Sequence, residues 1–476
     1  MTKRGLIVIL MALFVVAGFG SAFAVQSNGM TSGNGPTLPT AGFIGATNFF
    51  SATTNPTAGF TDGLDVHVNP DGLGDALIYN YFNARSGMGT YFDLVNTSDS
   101  YIRVRARFYE GANIGDTTCN DGSMEILDFD VCLTPWDVWS GWLVQQGAGS
   151  VLCSADTHTL IWDSSKSATF PVLATGNAAA TSGCVATKNK TNGGDSHVTA
   201  DQTLEGYFVF IGMGIIDGSP YSCNPATTGA PFADTPNVLF GSALIANLDD
   251  PTNSPFYEYT ATAVADFAND VFSTDVGAGS TPDLQDSSDT LVGINYMLTK
   301  EHLYGTYLLD GTWTTEYILT FPTKRLTHTV FDNCTTSIFE PNTVSITKYD
   351  MDETPDLPTG CSFSPCPQNP QDAIPYEVDL ITVSKKNGTV NTIMPASGLR
   401  LADIIRTPFD RGWIDIDMNN DTDSRWTSVS SDAAATTTWT THGWPVLGLQ
   451  LVNNKNYSGA RPIQALTNVT VGAGIP

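Results

Sequence analysis

The chain has 476 residues and a formal net charge of −27, with 48 acidic and 21 basic side chains. This length suffices for two or three domains with their own cores. A protein with this net charge repels nucleic acid and anionic lipid, and we expect neither as a partner. Cations are the favoured partners. The same charge would also keep an exported protein soluble.

Residues 1–24 have the pattern of a secretion signal. Lys3 and Arg4 precede an apolar run over residues 6–16, and the small residues Ala22 and Ala24 form a cleavage pattern. We therefore expect export to the cell surface or the medium, with the periplasm as an alternative. The rival interpretation is an uncleaved anchor helix. No second apolar run of about 18 residues follows, so the sequence predicts no transmembrane segment in the mature chain.

Residues 25–61 are rich in Gly, Thr, Asn, Ser and Pro, a composition that predicts a flexible N-terminal arm. Residues 62–272 are predicted to form a first β-sandwich. The clearest strand covers residues 101–110, where apolar side chains alternate with Arg103, Arg105 and Arg107, the period of a strand with one buried face. Further strands are predicted at residues 76–82, 90–96, 124–133, 137–144, 205–213 and 237–247.

Residues 273–308 are predicted to be a linker with a short helix near residues 298–304. A second sandwich is expected over residues 309–476, with strands at residues 315–321, 326–331, 343–349, 377–385, 389–393, 412–418 and 446–452. Asn387 and Gly388 stand between two of these strands and predict a hairpin. The predicted fold class is therefore all-β, with two antiparallel β-sandwich (Ig-like) domains, long loops and few helices.

All eight cysteines follow the secretion signal, and an even number in that context predicts disulfide bonds formed in an oxidising compartment. Neighbour pairing would join Cys119 to Cys132 and Cys361 to Cys366. A bond near the two ends of a long insertion over residues 147–196 would hold that insertion in place. Neither a haem-attachment motif nor paired zinc motifs occur. The eight candidates are Cys119, Cys132, Cys153, Cys184, Cys223, Cys334, Cys361 and Cys366.

Six short motifs along the chain carry a family resemblance. They are GLGD at residues 72–75, LTPWDVWSG at 133–141, TFPTK at 320–324, YDMDE at 349–353, GWID at 412–415 and PVLG at 445–448. In this order they resemble a group of secreted, β-rich envelope proteins of Gram-negative bacteria for which no activity is established. The resemblance covers about residues 72–452, and it implies an exported envelope protein.

Oxygen-bearing side chains at every second position predict a calcium site, because calcium takes six to eight oxygen ligands. The candidate ligands are Asp415, Asp417, Asn419, Asp421 and Asp423. Trp426 stands where a calcium loop of the usual kind has a bidentate glutamate. The alternative is that Asp415 and Asp417 lie on the solvent side of a strand that ends in a turn. Calcium is the one cofactor that the sequence suggests.

Three tryptophans, Trp136, Trp139 and Trp142, lie close together in the sequence and are candidates for stacking on sugar rings. The alternative is that they cap a sandwich core. Arg103, Arg105 and Arg107 are expected to pair with acidic residues of the next strand (Glu125, Asp128 and Asp130).

Asp350, Asp352 and Glu353 are candidates for the carboxylates of a glycosidase, which needs two of them facing each other. The sequence shows no facing partner for these carboxylates, and the nucleophile, metalloprotease and phosphate-loop motifs are missing, so no catalytic residue is predicted.

Three functions remain open on these grounds. The first is a structural or adhesive protein of the cell surface that binds itself or other surface components, without catalytic activity. The second is a carbohydrate-binding module with glycans as partners, which binds them either with or without the help of calcium. The third is a secreted glycan hydrolase.

Overall fold

The computed structural model describes residues 66–111, 125–156, 159–162, 184–187, 199–215, 237–249, 255–266, 297–323, 342–356, 372–374, 377–396, 403–418, 425–429, 438–454 and 457–466. The regular secondary structure of these residues consists almost entirely of β-strands in layered, predominantly antiparallel sheets, which confirms the predicted all-β sandwich-type fold. A short 3-10 helix covers Asp201–Leu204. Within the described ranges, no helix is long and apolar enough to cross a membrane.

The first half of the chain contains fourteen described strands. They are β1 (Val66–Val68), β2 (Ala76–Asn83), β3 (Met88–Asn96), β4 (Ile102–Glu110), β5 (Glu125–Leu133), β6 (Val138–Gln146), β7 (Gly149–Cys153), β8 (Leu160–Trp162), β9 (Cys184–Ala186), β10 (Glu205–Ile215), β11 (Leu239–Phe240), β12 (Ser242–Asn247), β13 (Phe256–Thr260) and β14 (Thr262–Asp266).

The second half contains another fourteen. They are β15 (Thr299–Lys300), β16 (His302–Leu308), β17 (Thr314–Thr320), β18 (Asn342–Asp350), β19 (Asp372–Ile374), β20 (Val378–Lys385), β21 (Asp403–Thr407), β22 (Arg411–Asp417), β23 (Arg425–Val429), β24 (Thr438–His442), β25 (Trp444–Pro445), β26 (Leu447–Asn453), β27 (Ser458–Pro462) and β28 (Gln464–Leu466).

The first sandwich consists of two sheets. Sheet 1 has the order β1-β14-β2-β10-β4-β5-β8, and sheet 2 has the order β13-β12-β3-β6-β7-β9, with β11 pairing with β3. Aromatic rings fill the space between them: Phe208 of sheet 1 packs on Tyr79 at 4.3 Å and on Phe92 of sheet 2 at 4.9 Å between ring centroids. Burial of several such rings contributes much of the stability of a sandwich core.

The second sandwich also consists of two sheets. Sheet 3 has the order β21-β20-β17-β26-β27, and sheet 4 has the order β19-β18-β22-β16-β28. Alternate residues of β17 and β22, such as Tyr317, Leu319, Ile414 and Ile416, are buried in the core between these sheets. Gly305 of β16 allows the close approach, because a Cβ atom there would lie 2.2 Å from the ring of Tyr317.

The outer face of sheet 3 packs on the outer face of sheet 1, so the two sandwiches share a buried cluster. Ile318 and Leu380 of sheet 3 belong to the same hydrophobic cluster as Ile78 of sheet 1. The hydroxyl of Thr320 donates a hydrogen bond of 2.5 Å to the carbonyl oxygen of Asn80. The layers therefore follow the order sheet 2, sheet 1, sheet 3, sheet 4.

The predicted hairpin at Asn387 and Gly388 is wrong. A turn does occur there, because the N–H of Gly388 donates to the carbonyl oxygen of Lys385, but residues 389–393 do not form a strand. Instead β20 pairs in parallel with β21. The buried carboxylate of Glu316 explains the difference, because it accepts hydrogen bonds from the backbone N–H groups of Ile393 (2.7 Å) and Met394 (2.9 Å).

The predicted helix near residues 298–304 is also wrong for most of its length. Residues 299–300 form β15, and residues 302–308, which the sequence placed in the linker, form the strand β16. This strand pairs with β22 and β28 inside sheet 4. Pairing along β22 satisfies the backbone groups that a helical turn would otherwise satisfy.

Candidate functional site

The outer face of sheet 4 carries a group of rings and carboxylates on three neighbouring strands. Because side chains alternate along a strand, the residues between the buried core positions point away from sheet 3. Register places Tyr304 opposite Asp415, and Trp413 opposite both Thr306 and Tyr349. We call this group the aromatic face; it comprises His302, Tyr304, Tyr349, Trp413, Asp415 and Asp417.

The rings of the aromatic face form a continuous row. Tyr349 stacks on Trp413 with 4.0 Å between ring centroids and 8° between ring planes. Trp413 lies 6.2 Å from Tyr304, and Tyr304 lies 5.8 Å from His302 with the two ring planes nearly parallel. Cross-strand stacking of this kind restricts the rotamers of both partners. The row is thus held in place before any ligand binds.

A hydrogen bond fixes the imidazole at one end of the row. Nδ1 of His302 donates to Oδ1 of Asp415 across 2.9 Å. The two side chains keep 24% and 20% of their exposure, so solvent and ligands reach both. The imidazole therefore has a defined orientation and remains accessible.

The pKa values of this pair reflect burial and charge together. Burial alone would lower the pKa of His302, but the hydrogen bond and charge of Asp415, with the charges of Asp417 and Glu301, raise it above its ordinary value. Burial raises the pKa of Asp415, the interaction with His302 opposes this, and the charge of Asp417 adds to it. The pair thus favours a protonated imidazole.

The phenol groups of the row stay protonated at neutral pH. Partial burial, followed by the charge of Asp415, raises the pKa of Tyr304 and of Tyr349 above the ordinary value. A neutral phenol both donates and accepts hydrogen bonds. The aromatic face thus combines apolar ring surface, hydroxyl groups and carboxylate acceptors, which are the groups that bind polyhydroxylated sugar rings.

Only two of the five predicted calcium ligands lie in the described chain. Asp415 and Asp417 are on the regular strand β22, as in the alternative interpretation, and the first is bonded to His302. Asn419, Asp421 and Asp423 lie outside the described residues. Among the residues that the structure describes, no group of three or more His, Cys, Asp or Glu side chains is placed to hold a metal ion. The calcium site remains a prediction.

The three predicted tryptophans do not form one surface. Trp139 is fully buried between sheets 1 and 2, where its ring lies 5.5 Å from that of Phe92. Trp142, three positions along β6, is partly exposed on the opposite side of the strand. Trp136 lies in the preceding turn and is 68% exposed, with φ of +58°. Because side chains alternate along the strand, Trp139 is buried in the core and cannot stack on a sugar. The prediction that Trp139 is a sugar-binding residue is therefore wrong.

The arginine row of β4 pairs with acidic residues of β5, as predicted. Arg103 and Arg105 both bond Asp130, and Arg105 also bonds Asp128. Arg107 bonds Glu125. All three arginines are buried, so the pairs lie inside the protein rather than on its surface. Their arrangement indicates a structural role in the first sandwich.

The structure describes three of the eight cysteines that were predicted to form disulfide bonds. A disulfide bond joins Cys153 to Cys184, so the predicted bond across the insertion is confirmed. Cys132 is also disulfide-bonded. Cys119, Cys223, Cys334, Cys361 and Cys366 lie outside the described residues.

Asp350, the last residue of β18, organises the turn that follows the strand. Oδ1 of Asp350 accepts hydrogen bonds from the backbone N–H groups of Asp352 (2.9 Å) and Thr354 (2.7 Å). Glu353 is exposed and has a φ of +64°. This arrangement gives Asp350 a structural role in the turn.

The rings of the aromatic face were not predicted from the sequence. His302 and Tyr304 alternate with the buried residues Leu303 and Tyr307 around Gly305, a period of two that was available as a signal. Their partners on β22 are far away in sequence: His302 and Asp415 are 113 residues apart. Only strand pairing brings them together.

Comparison of the chain with protein-family models, with characterised proteins and with solved structures found no match.

Proposed function

We propose that this chain is an exported protein of the cell surface with an adhesive role, and that it binds glycans through the aromatic face. The observation that carries the proposal is the fixed row of rings flanked by carboxylates on an accessible sheet surface. Flat apolar ring faces stack on the apolar faces of sugars, while Asp415 and the phenol groups accept or donate hydrogen bonds to sugar hydroxyls. The secretion signal predicted over residues 1–24 supports the expected location.

The position of the aromatic face in the stack of sheets suits this role. Sheet 4 is the last layer, and packed sheets lie about 10 Å apart, so the face is displayed at one end of a four-layer body. The layers are joined by the shared cluster between sheets 1 and 3. A ligand bound at this end would therefore be held at a distance from sheet 2, the layer at the opposite end.

The sheet edges favour binding through a face over self-assembly by strand addition. Five edge strands of the described sheets are only three residues long. Such short strands offer few unpaired backbone groups with which a strand of another chain could pair. Three edge strands of sheets 1 to 4 are five residues long, and two of them, β13 and β27, meet each other: the N–H of Phe256 donates to the hydroxyl of Ser458 across 3.0 Å. The third is β21, at the other edge of sheet 3. The five short edges are β1, β8, β9, β19 and β28.

A binding assay with single-ring variants tests the proposal. The full exported chain is passed over a panel of immobilised glycans, and its affinity is compared with that of Tyr304→Ala. Loss of one stacking ring should weaken binding about tenfold. Tyr457→Ala is the matched control, because Tyr457 is 68% exposed and its ring stacks near Trp313, away from the aromatic face.

Three results would overturn the proposal: no glycan of the panel is bound, Tyr304→Ala binds as tightly as the original chain, or Tyr457→Ala loses as much affinity. A parallel series with a calcium chelator tests the calcium-assisted version. Chelation should weaken binding if the predicted ligands Asp415 to Asp423 hold calcium. Unchanged affinity in the presence of chelator would show that glycan binding does not need calcium, and it would leave the proposed glycan site unaffected.

A further inference from the structure

The ring of Trp413 has one face covered by a neighbouring ring. Tyr349 of β18 lies against it with 4.0 Å between ring centroids and 8° between ring planes, so the two rings are face to face. In sheet 4, β22 lies between β18 and β16. The face of Trp413 that Tyr349 leaves uncovered is therefore directed across β16, towards Thr306, which stands opposite Trp413 in the register.

This ring face and its neighbours form the walls of a subsite above Thr306. The side chain of Thr306 is short and exposed, so it leaves room beside the larger ring of Trp413. The ring of Tyr304, one alternation earlier on β16, lies 6.2 Å from that of Trp413 and is tilted by 58°. A sugar ring that stacks on the uncovered face of Trp413 would lie above Thr306 and beside Tyr304.

A guanidinium group stands at the far side of Thr306. Strand β28 pairs with β16 only along residues 302–304, and Arg461 of β27 reaches the edge of β16 beyond them. Its Nη2 donates a hydrogen bond to Oγ1 of Thr306, and its Nε donates to Oε1 of Gln450 across 2.8 Å. Arg461 is exposed, and these contacts hold its position while using only part of its five N–H donors.

The charge of Arg461 is not neutralised by its contacts. Thr306 and Gln450 are both neutral, and among the residues that the structure describes no carboxylate forms an ion pair with Arg461. A planar guanidinium matches the two oxygens of a carboxylate, and such charge-assisted hydrogen bonds are stronger than those to a neutral hydroxyl. The edge of the subsite therefore favours a ligand with a carboxylate.

The acidic character of the rest of the protein restricts this ligand further. Asp415 follows Trp413 by two positions on β22, about 7 Å along the strand, so a second acidic sugar on that side would meet a carboxylate. The net charge of −27 also repels a polymer that is acidic at every residue. An acidic sugar with neutral neighbours satisfies both conditions.

From this geometry we infer that the preferred ligand is a glycan in which uronic acid residues alternate with neutral sugars, with one carboxylate bound by Arg461. The inference rests on the proposed glycan-binding function and specifies the ligand class of the same face. The carboxylate of a uronic acid is attached directly to the sugar ring. A ring stacked on Trp413 above Thr306 therefore presents it at the edge where Arg461 lies, and the neutral neighbour donates hydroxyl groups towards Asp415.

The test compares two oligosaccharides that differ only at the carboxyl group. A hyaluronan hexasaccharide alternates glucuronic acid with a neutral amino sugar, and its methyl ester has the same chain without the charge. Binding of the full chain to each is measured at about 0.15 M salt, where charges more than about 8 Å away are largely screened. The acid should bind at least about tenfold more tightly than the ester.

Variants of Arg461 separate the local site from the overall charge of the protein. Arg461→Gln should abolish the preference for the acid and change the affinity for the ester less than about twofold, whereas Arg461→Lys, which keeps the charge without the planar fork, should retain part of the preference. Lys386→Gln is the matched control, because it removes one exposed positive charge at the turn after β20, away from β27 in sheet 3. It should change neither affinity.

A steric variant tests the position of the sugar without removing a charge. Thr306→Phe fills the room beside Trp413, so it should weaken binding of the acid and of the ester alike, at least about tenfold. Thermal unfolding of every variant shows whether the fold is retained. Unchanged affinities in a folded Thr306→Phe variant would contradict the placement of the sugar above Thr306.

The remaining outcomes distinguish the inference from the proposed function. Equal binding of acid and ester, or binding of neither while neutral glycans of the panel are bound, would overturn the acidic preference and leave glycan binding intact. An undiminished preference in Arg461→Gln, or an equal loss in Lys386→Gln, would overturn the role of Arg461. A panel on which no glycan is bound would remove the inference and the proposed function together.

Discussion

The hydroxyl of Tyr207, in the first sandwich, donates a hydrogen bond of 3.0 Å to Oε2 of Glu377, in the second. Both residues are buried. The contact between the sandwiches therefore contains hydrogen-bonded polar groups as well as apolar side chains, and it resembles the interior of a domain more than a transient interface. We expect the two sandwiches to unfold in one cooperative transition because their buried clusters are continuous.

Glu316 gives the first prediction. Its buried carboxylate accepts hydrogen bonds from the N–H groups of Ile393 and Met394 and from the hydroxyl of Thr382. Glu316→Ala leaves these donors without an acceptor, so the free energy of unfolding should fall by about 2–4 kcal/mol. Chemical denaturation measures the change. The control is Glu258→Ala at an exposed site, which should stay within about 0.5 kcal/mol; equal effects of the two substitutions would contradict the structural role of Glu316.

The arginine pairs of β4 and β5 give a second prediction. Arg105 and Asp130 have side chains that are 2% and 1% exposed. Arg105→Met removes one of the two guanidinium groups that bond the buried carboxylate of Asp130. The free energy of unfolding should therefore fall by about 3–5 kcal/mol. Lys385→Met breaks the exposed pair with Asp410, whose side chains are 42% and 55% exposed, and should cost at most about 1 kcal/mol. A small effect of Arg105→Met would show that these pairs contribute little.

The tryptophans of residues 136–142 give a third prediction, because their environments differ. Trp139→Ala removes a fully buried ring and should lower the free energy of unfolding by about 3–5 kcal/mol. Trp136→Gly should leave it within about 1 kcal/mol, since relief of the left-handed backbone at Trp136 offsets the greater freedom of glycine in the unfolded chain. Thermal unfolding compares both variants, and a large loss in Trp136→Gly would contradict the exposed position of this ring.

The raised pKa of His302 predicts a dependence of stability on pH. A raised pKa in the folded state means that the folded protein binds the proton more tightly than the unfolded chain. The stabilisation is therefore complete below the ordinary histidine value of about 6.5 and is lost as pH rises through the higher value of the folded state. Nuclear magnetic resonance of the imidazole follows this titration. Asp415→Asn should lower the pKa of His302, and an unchanged titration would contradict the pairing.

The sequence was sufficient to predict the fold class and many strands, because alternation of side chains is a local property. The strand predicted at residues 101–110 is found at Ile102–Glu110, and its pairing with the acidic residues of β5 follows from the same alternation. The hairpin at Asn387 failed for the opposite reason. Turn residues are local, but the buried carboxylate of Glu316, which captures the following segment, is a tertiary feature.

The aromatic face was only partly predictable. Asp415 and Asp417 stood out because acidic residues alternate over a short stretch. Tyr349 and Trp413 carry no such signal, since each is a single aromatic residue in its own strand and their stacking depends on the register of β18 with β22. Register is fixed by the buried residues on the other side of the sheet. The same alternation that brings these rings together places Trp139 in the core.

The most direct test of the account is to map where a glycan binds. Backbone hydrogen exchange, followed by mass spectrometry, is measured on the full chain with and without a saturating oligosaccharide selected in the binding assay. Glycan binding at the aromatic face predicts slower exchange confined to β16, β18 and β22, the strands that carry this face. Protection centred instead on the exposed turn at Trp136 or on the loops around Tyr457, with sheet 4 unchanged, would contradict it.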